Sequence, residues 1–520
     1  MAKKDSGGYW DNAPTARKEP AKKKSGGFLK AVVTLLAITL LCTSTLCTLS
    51  IMGIPWENWL VTHISELISP SRPLVMEELT PSVRWTGWQH GVCVEDTVLL
   101  TSHNGGEEIH TVPSGERLTI LEQRDDMLRV RSVASIGWIP RDAARAIGER
   151  TLTPKSSAVP KSVIDLSQTE YAAQLDEISD RFGCMGIQVA VISGGDVYGV
   201  YSTGYANKST DLMMNCDTKV RVASLTKVLV AMCALSMEEQ GIIDLDEDIS
   251  TYLGYKVRNP DYRSEPITMR MLLCHTSSIS DFGVNGRDPT WMETHLPLET
   301  SYRDVRPGTA AAWGYNNTAV CLAGKVLEKA AGMTLVDYAE GYFFQPLGID
   351  ASLHAAKVKA QDNIAMLYRA GKVAFSVKSQ VNRPYYDTPG DNFCLYAGDL
   401  TISALDYAKL MCILANGGQY KGTYYLSPET VEEMLTPLFE VGRREQCLTI
   451  KRYNEQFEGR DSYYHTGNAY GVLSSASFDR TTGDGVVVTT TMSGILSKTR
   501  DIYAPCYQLS AFCYDTLLED

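Results

Sequence analysis

The chain has 520 residues, 44% of them hydrophobic and 21% charged, with a formal net charge of −12. That length points to about two or three domains, and the balance excludes wholesale disorder or a fibrous repeat. The charge is uneven: residues 1–30 hold seven Lys and one Arg against three acidic residues, a net +5 that leaves −17 for the remainder, which argues against nucleic acid as a partner.

From residue 31 to residue 54 nothing is charged, and AVVTLLAITLLCTSTLCTLSIMGI is long enough to cross a bilayer as one helix. It exceeds the roughly 7–15-residue core of a signal peptide. Lys22, Lys23 and Lys24 precede it, so the positive-inside rule makes residues 1–30 a basic cytoplasmic tail. The chain after Pro55 is then extracellular, with Trp56 and Trp59 at the outer interface of a single-pass membrane protein. A cleaved signal sequence is the alternative, and either way the bulk of the chain is exported. Cys42 and Cys47 lie in this segment. The other eleven cysteines are scattered without a CxxC pair, and the eight histidines form no HExxH. Neither a metal site nor a full disulfide framework is expected, and no cofactor is implied.

Residues 55–84 read as a connector, with an amphipathic stretch from Trp59 to Leu67 and a break at Pro70 and Pro73. Over 85–147, short alternating runs (TVLLTS, RLTILEQ, MLRVRSV) are separated by turn-forming HNGG, PSGE and RDD, which predicts a small antiparallel β-barrel. Its closing SIGWIPRDAARAI resembles the end of a bacterial Src-homology-3-type module. That likeness implies contact with peptidoglycan or with a neighbouring domain, a plain spacer being the alternative. Residues 148–165 are polar and rich in Pro and Ser, as a linker is.

The unit 166–520 is mixed. YAAQLDEISDRFG predicts a helix, and IQVAVIS and DVYGVYSTGYAN predict two strands joined at Gly194-Gly195. AVCLAGKVLEKAAG and SPETVEEMLTPL have helical periods, AYGVLSSASFDRTTGDGVVVTTT reads as strand, turn, strand, and DIYAPCYQLSAFCYDTLLED as a last helix. Strands near both ends with helices between them predict an α+β fold: an antiparallel sheet built from the chain ends, flanked by helices, beside an all-helical region.

Three segments carry chemistry. In VRVASLTKVLVAM, Ser224 and Lys227 stand nearly one helical turn apart where an apolar helix begins, so both polar groups share a face. A desolvated lysine there takes the serine proton or orients another base, and the helix N-terminus offers N–H groups to an oxyanion. Ser-x-x-Lys alone is cheap, at about two chance occurrences in a chain this long. Tyr315-Asn316-Asn317 follows RPGTAAAWG; a phenol, with an ordinary pKa of about 10, acts as a base only beside positive charge, which Lys227 would supply. Asn317 would position Lys227 and a substrate amide. In DSYYHTGNAYGV, Gly467 would let a ligand backbone approach, and His465 or Thr466 would meet a carboxylate or carbonyl.

The order Ser-x-x-Lys, Tyr-x-Asn, His-Thr-Gly resembles the penicillin-binding protein and class C β-lactamase superfamily, especially its D-alanyl-D-alanine carboxypeptidase and esterase branch. PITMRMLLCHTSSISD and ANGGQYKGTYYLSPETVEEML fit the same likeness. The resemblance implies a β-lactamase/transpeptidase-like fold for 166–520 and an acyl-enzyme on Ser224, with Lys227 and Tyr315 moving protons. It further implies an oxyanion held by the N–H groups of Ser224 and Asn468, and substrate orientation by Asn317, His465, Thr466 and Gly467. The implied substrate is a cell-wall peptide or a small acyl compound; an esterase, a weak β-lactamase or a non-catalytic penicillin-binding sensor are the alternatives. Departures from the family pattern are Ser278 for Gly after HTS, Asn316 for Ser, AGDL at 397–400 for Gly-Gly-Leu, and His465 for Lys. An imidazole, mostly neutral at pH 7, would grip a carboxylate less firmly than lysine.

Overall fold

The computed structural model of the protein describes residues 89–147 and 163–518, with breaks at 115, 125, 133–135, 370 and 492–495. The expected tail (1–30), membrane-spanning helix (31–54) and connector (55–84) lie outside the described residues, as does most of the linker. Among the described residues no helix is long and apolar enough to cross a membrane.

Residues 89–147 form seven short strands: β1 (Gln89–Cys93), β2 (Thr97–Leu100), β3 (Glu108–Val112), β4 (Arg117–Arg124), β5 (Met127–Arg131), β6 (Ile136–Pro140) and β7 (Ala144–Ile147). They pair antiparallel in the order β3-β2-β6-β5-β4-β1-β7 around a small core that includes Leu99, Val112, Leu118, Leu128, Val130 and Ile139. The alternating runs read from the sequence are β2, β4 and β5; β4 places Leu118 and Ile120 in that core, β5 places Leu128 and Val130, and β2 contributes Leu99.

The larger unit is organised by one ten-stranded sheet. Its first strands are β8 (Ile164–Asp165), β9 (Gly186–Ser193), β10 (Asp196–Asn207) and β11 (Leu212–Met213). The C-terminal part adds β12 (Phe439–Val441), β13 (Arg444–Gln446), β14 (Lys451–Tyr453), β15 (Ser462–Ala469), β16 (Val472–Asp479) and β17 (Gly485–Thr491). The order is β11-β10-β9-β17-β16-β15-β14-β13-β12, with β8 added parallel to β10 and the rest antiparallel. Ile164 and Asp165, assigned to the linker from composition, therefore belong to the sheet. The pairing of β9 with β17 joins the two chain ends of the unit, Val189 facing Val488.

Both faces of the sheet are covered, which explains why β9 reads as an almost unbroken apolar run. Ile187, Val189 and Val191 point toward helices α1 (Ala172–Arg181) and the C-terminal helix Ala504–Thr516. Ala190 and Ile192 point into the opposite, helix-rich core. That core is centred on α2 (Thr226–Glu239), which is buried from Thr226 to Met237 and is therefore apolar all round, and on α3 (Asn317–Ala331) and α4 (Ala404–Ala415). The eleven cysteines outside residues 31–54 are all free thiols, ten of them buried, so they pack as small hydrophobes rather than as bridges.

Candidate active site

Ala223–Leu225 make a single 3-10 turn that runs into α2. Ala223 holds φ +51, a left-handed conformation that costs a non-glycine residue about 1–2 kcal/mol. The turn is clamped: Thr226 Oγ1 donates to Ala223 O at 2.7 Å, the Leu400 N–H donates to Thr226 Oγ1 at 3.0 Å, and the Val222 N–H donates to Leu400 O at 2.9 Å. Lys227, fully buried one turn further on, donates from Nζ to Ser224 Oγ at 3.0 Å and to Ala397 O at 2.6 Å. Its ammonium also lies 5.1 Å from the centroid of the Tyr315 ring. Two hydrogen bonds and an aromatic face thus replace the water that burial removes.

Tyr315 stands just before α3 and is 38% exposed, so its ring lies beside the buried amine and is partly open to solvent. The next residue, Asn316, is buried and caps α3: its Oδ1 accepts from the Ala319 N–H at 2.7 Å and its Nδ2 donates to Ile279 O at 2.6 Å. Asn317 departs from the expectation that it positions Lys227. Its Nδ2 donates instead to Asp281 Oδ2 at 3.0 Å, while Asp281 Oδ1 accepts from the N–H and the hydroxyl of Thr318. The cause is local: at the first position of α3 the amide is within reach of a carboxylate that also serves the next residue, and Lys227 is already engaged by Ala397.

His465, Thr466, Gly467 and Asn468 lie on β15. One edge of β15 pairs with β16 throughout; on the other the ladder to β14 ends at Tyr464, opposite Lys451. From His465 onward that edge has no strand partner among the described residues, and it packs on the turn carrying Ser224. Gly467 makes this possible: a Cβ there would stand 2.6 Å from Val222 O and 3.1 Å from Ser224 N. Thr466 is buried; Asn468 is exposed, and its side chain bonds the phenol of Tyr503.

His465 is 2% exposed, and its ring has at most the backbone of Thr466 as a hydrogen-bond partner among the described residues. Burial, and next the charges of Lys451 and Lys227, hold its pKa well below the ordinary value. It therefore carries no positive charge for a carboxylate at neutral pH. The nearby cation is Lys451, paired with Asp501 at 3.2 Å and itself pushed down to about 8 by burial.

The AGDL segment supplies what single-residue reading missed. Ala397 O holds Lys227, Gly398 O accepts from Arg221 Nε at 2.9 Å, and Asp399 bridges two guanidiniums, Arg221 and Arg383, the latter at 2.5 Å. Arg221 also lies 4.3 and 5.2 Å from the ring centroids of Tyr470 and Phe375, which stack on each other at 4.7 Å. Ser278, in place of glycine, keeps φ +61, and its hydroxyl accepts from Asn259 Nδ2 at 2.9 Å. The turn retains the glycine-type backbone and gains a side-chain anchor.

A serine beside a buried lysine, faced by a tyrosine and by the open edge of an antiparallel strand, belongs to the mixed α/β, β-lactamase-like class of serine hydrolases. A family model described as Beta-lactamase matches residues 172–503, more than half of the chain, and the chain belongs to that family. Over 240 residues it is 25% identical to the D-alanyl-D-alanine-carboxypeptidase/endopeptidase AmpH of Escherichia coli, a match covering 44% of this chain and 61% of that one. It is 26% identical over 216 residues to the esterase EstB of Burkholderia gladioli, covering 37% of this chain and 54% of the other. These matches span less than two thirds of each relative. The octameric penicillin-binding protein homologue from Pyrococcus abyssi superposes with a TM-score of 0.55 at 22% identity, over 67% of this chain and 77% of that one, a likeness of fold.

Proposed function

We propose that the protein is an extracytoplasmic serine hydrolase that works through an acyl-enzyme on Ser224, anchored by residues 31–54 and acting on D-amino-acid peptides of the cell wall in the manner of a D,D-carboxypeptidase. The observation that carries the reading is the 3.0 Å contact of the buried Lys227 amine with Ser224 Oγ. In the reaction Ser224 Oγ bonds to the substrate carbonyl carbon, and its proton passes to the Lys227–Tyr315 pair. The carbonyl oxygen, now negative, is held by the N–H of Ser224 and that of Asn468 on the open edge of β15. The C–N or C–O bond then breaks, Tyr315 returns the proton to the departing amine or alcohol, and water releases the acyl group. Thr466 and Gly467 line the substrate's path along β15, and Asn317 orients its amide from the rim. Residues 85–147, as a bacterial Src-homology-3-like module, would hold the enzyme against peptidoglycan.

A second reading, hydrolysis of a small neutral ester, is favoured by the uncharged His465, since no fixed charge stands at that position to reward a substrate carboxylate. The activities for which the two relatives are named, a carboxypeptidase/endopeptidase and an esterase, support the same pair of choices.

The test is a fluorescent penicillin applied to the wild type and to Ser224→Ala, followed by incubation with muropeptides, simple esters and a β-lactam and mass analysis of the products. Label confined to the wild type and loss of a terminal D-residue from muropeptides are expected. Equal labelling of both proteins removes Ser224 from the reaction, and ester turnover without peptide turnover selects the second reading.

A further inference from the structure

Two buried histidines flank Tyr315 from different elements. His275 lies just after the short helix Met269–Leu273, His465 on β15, and their ring centroids stand 4.7 and 6.3 Å from that of Tyr315. Each is 2% exposed; neither ring nitrogen of His275 has a hydrogen-bond partner among the described residues, and His465 has at most the backbone of Thr466. Buried polar groups in proteins are nearly always satisfied, so a pair of such imidazoles at one phenol requires an explanation. Packing alone does not supply it, because a phenyl ring fills the same volume without polar atoms. His275 holds φ +65, the left-handed conformation that closes the helix Met269–Leu273, with the Thr276 N–H donating back to Met271 O at 2.8 Å, and this turn fixes where its ring stands. Burial, with Lys227 and then Lys451 nearby, keeps the His275 ring uncharged, so each ring presents one donor and one acceptor. One nitrogen of each ring and the Tyr315 hydroxyl make a set of three that a single water, with two donors and two acceptors, can join.

We propose that His275 is a positioning residue of the reaction: with His465 it holds one water against Tyr315, and this hydrogen-bonded bridge fixes the phenol above the Lys227 amine. The role rests on the Ser224 acyl-enzyme reading given above, since a phenol held in register matters only if it carries protons.

The experiment compares the full-length wild type with His275→Phe, which keeps ring and volume but removes both nitrogens, and with His275→Asn, which keeps a donor and an acceptor and tolerates the left-handed backbone. On a small acyl ester, His275→Phe is expected to lower kcat by about tenfold or more with KM within about twofold, and His275→Asn to recover much of the loss. Wild-type kcat in His275→Phe, or equal loss in both variants at equal melting temperature, overturns the proposal. If His275→Phe fails to fold, ring-nitrogen NMR on the wild type decides: an uncharged His275 ring in contact with a long-lived water is expected, and an imidazolium or a dry ring overturns it. Absence of any acyl-enzyme in the wild type would defeat the Ser224 reading instead, while the NMR result would still judge the water bridge.

Discussion

Gly467→Ala is the sharpest test of how strand and nucleophile are fitted together. The added Cβ would lie 2.6 Å from Val222 O and 3.1 Å from Ser224 N, whereas ordinary contact begins near 3.4 Å. Nearer still is Ser474 Oγ, at 2.3 Å, but that hydroxyl donates to Val222 O at 2.8 Å and turning it away would leave the main-chain oxygen in place, so the side chain alone cannot absorb the clash. Strand and turn must therefore separate by about 0.8 Å, and a displacement near 1 Å at a reacting group costs on the order of a hundredfold in rate, or about 2.7 kcal/mol. Overpacking is expected to cost about 1–3 kcal/mol of stability as well. The assay is the single-turnover rate of Ser224 acylation by a fluorescent penicillin, with a thermal melt on the same samples. Gly254→Ala, at φ +76 with open space around its Cβ, serves as control and should lose stability while leaving acylation unchanged. Acylation by Gly467→Ala within about twofold of wild type, at an unchanged melting temperature, would refute the contact between β15 and the nucleophile turn.

Lys227→Ala and Tyr315→Phe should each slow acylation by about a hundredfold or more through loss of proton transfer, read by the same single-turnover assay. Asp399→Gly, which restores the family's usual glycine, should cost about 3–5 kcal/mol in urea denaturation, because it strands Arg221 and Arg383 without their buried anion; an unchanged midpoint would show that the pair contributes nothing. Ala223→Gly should relieve the left-handed backbone and stabilise the fold by about 1 kcal/mol while loosening the Ser224 turn, so the melt rises and acylation slows. Acid should weaken the fold through His275. Its folded pKa, about 3, lies below the unfolded value of about 6.5, so the unfolded chain takes up the proton first and stability falls as pH drops through that window. Between pH 7 and 4.5 the loss from this group is about 3 kcal/mol, and His275→Asn should remove it; identical urea midpoints against pH for the two proteins would refute the assignment.

Much of the architecture is written in short-range pattern. The apolar run IQVAVIS and the partly alternating DVYGVYSTGYAN, joined at Gly194-Gly195, read as a hairpin, and the apolar run after Ser224 as a buried helix, because strand and helix periods are properties of adjacent residues. The spacing that sets Ser224 and Lys227 on one face is equally local. Tertiary structure alone decided the partners of those groups. Lys227 is held by a carbonyl 170 residues away, Asn317 is claimed by Asp281, and Asp399 lies between two arginines from separate segments. The short strands over 439–453 were invisible in the pattern because pairing with β15, rather than their own composition, makes them strands. His465 shows the division most plainly: its place in His-Thr-Gly is local, whereas its lack of charge follows from burial beside lysines brought there by the fold. Periodicity acts over one or two turns of chain, but desolvation and charge act through space, and only folding sets those distances.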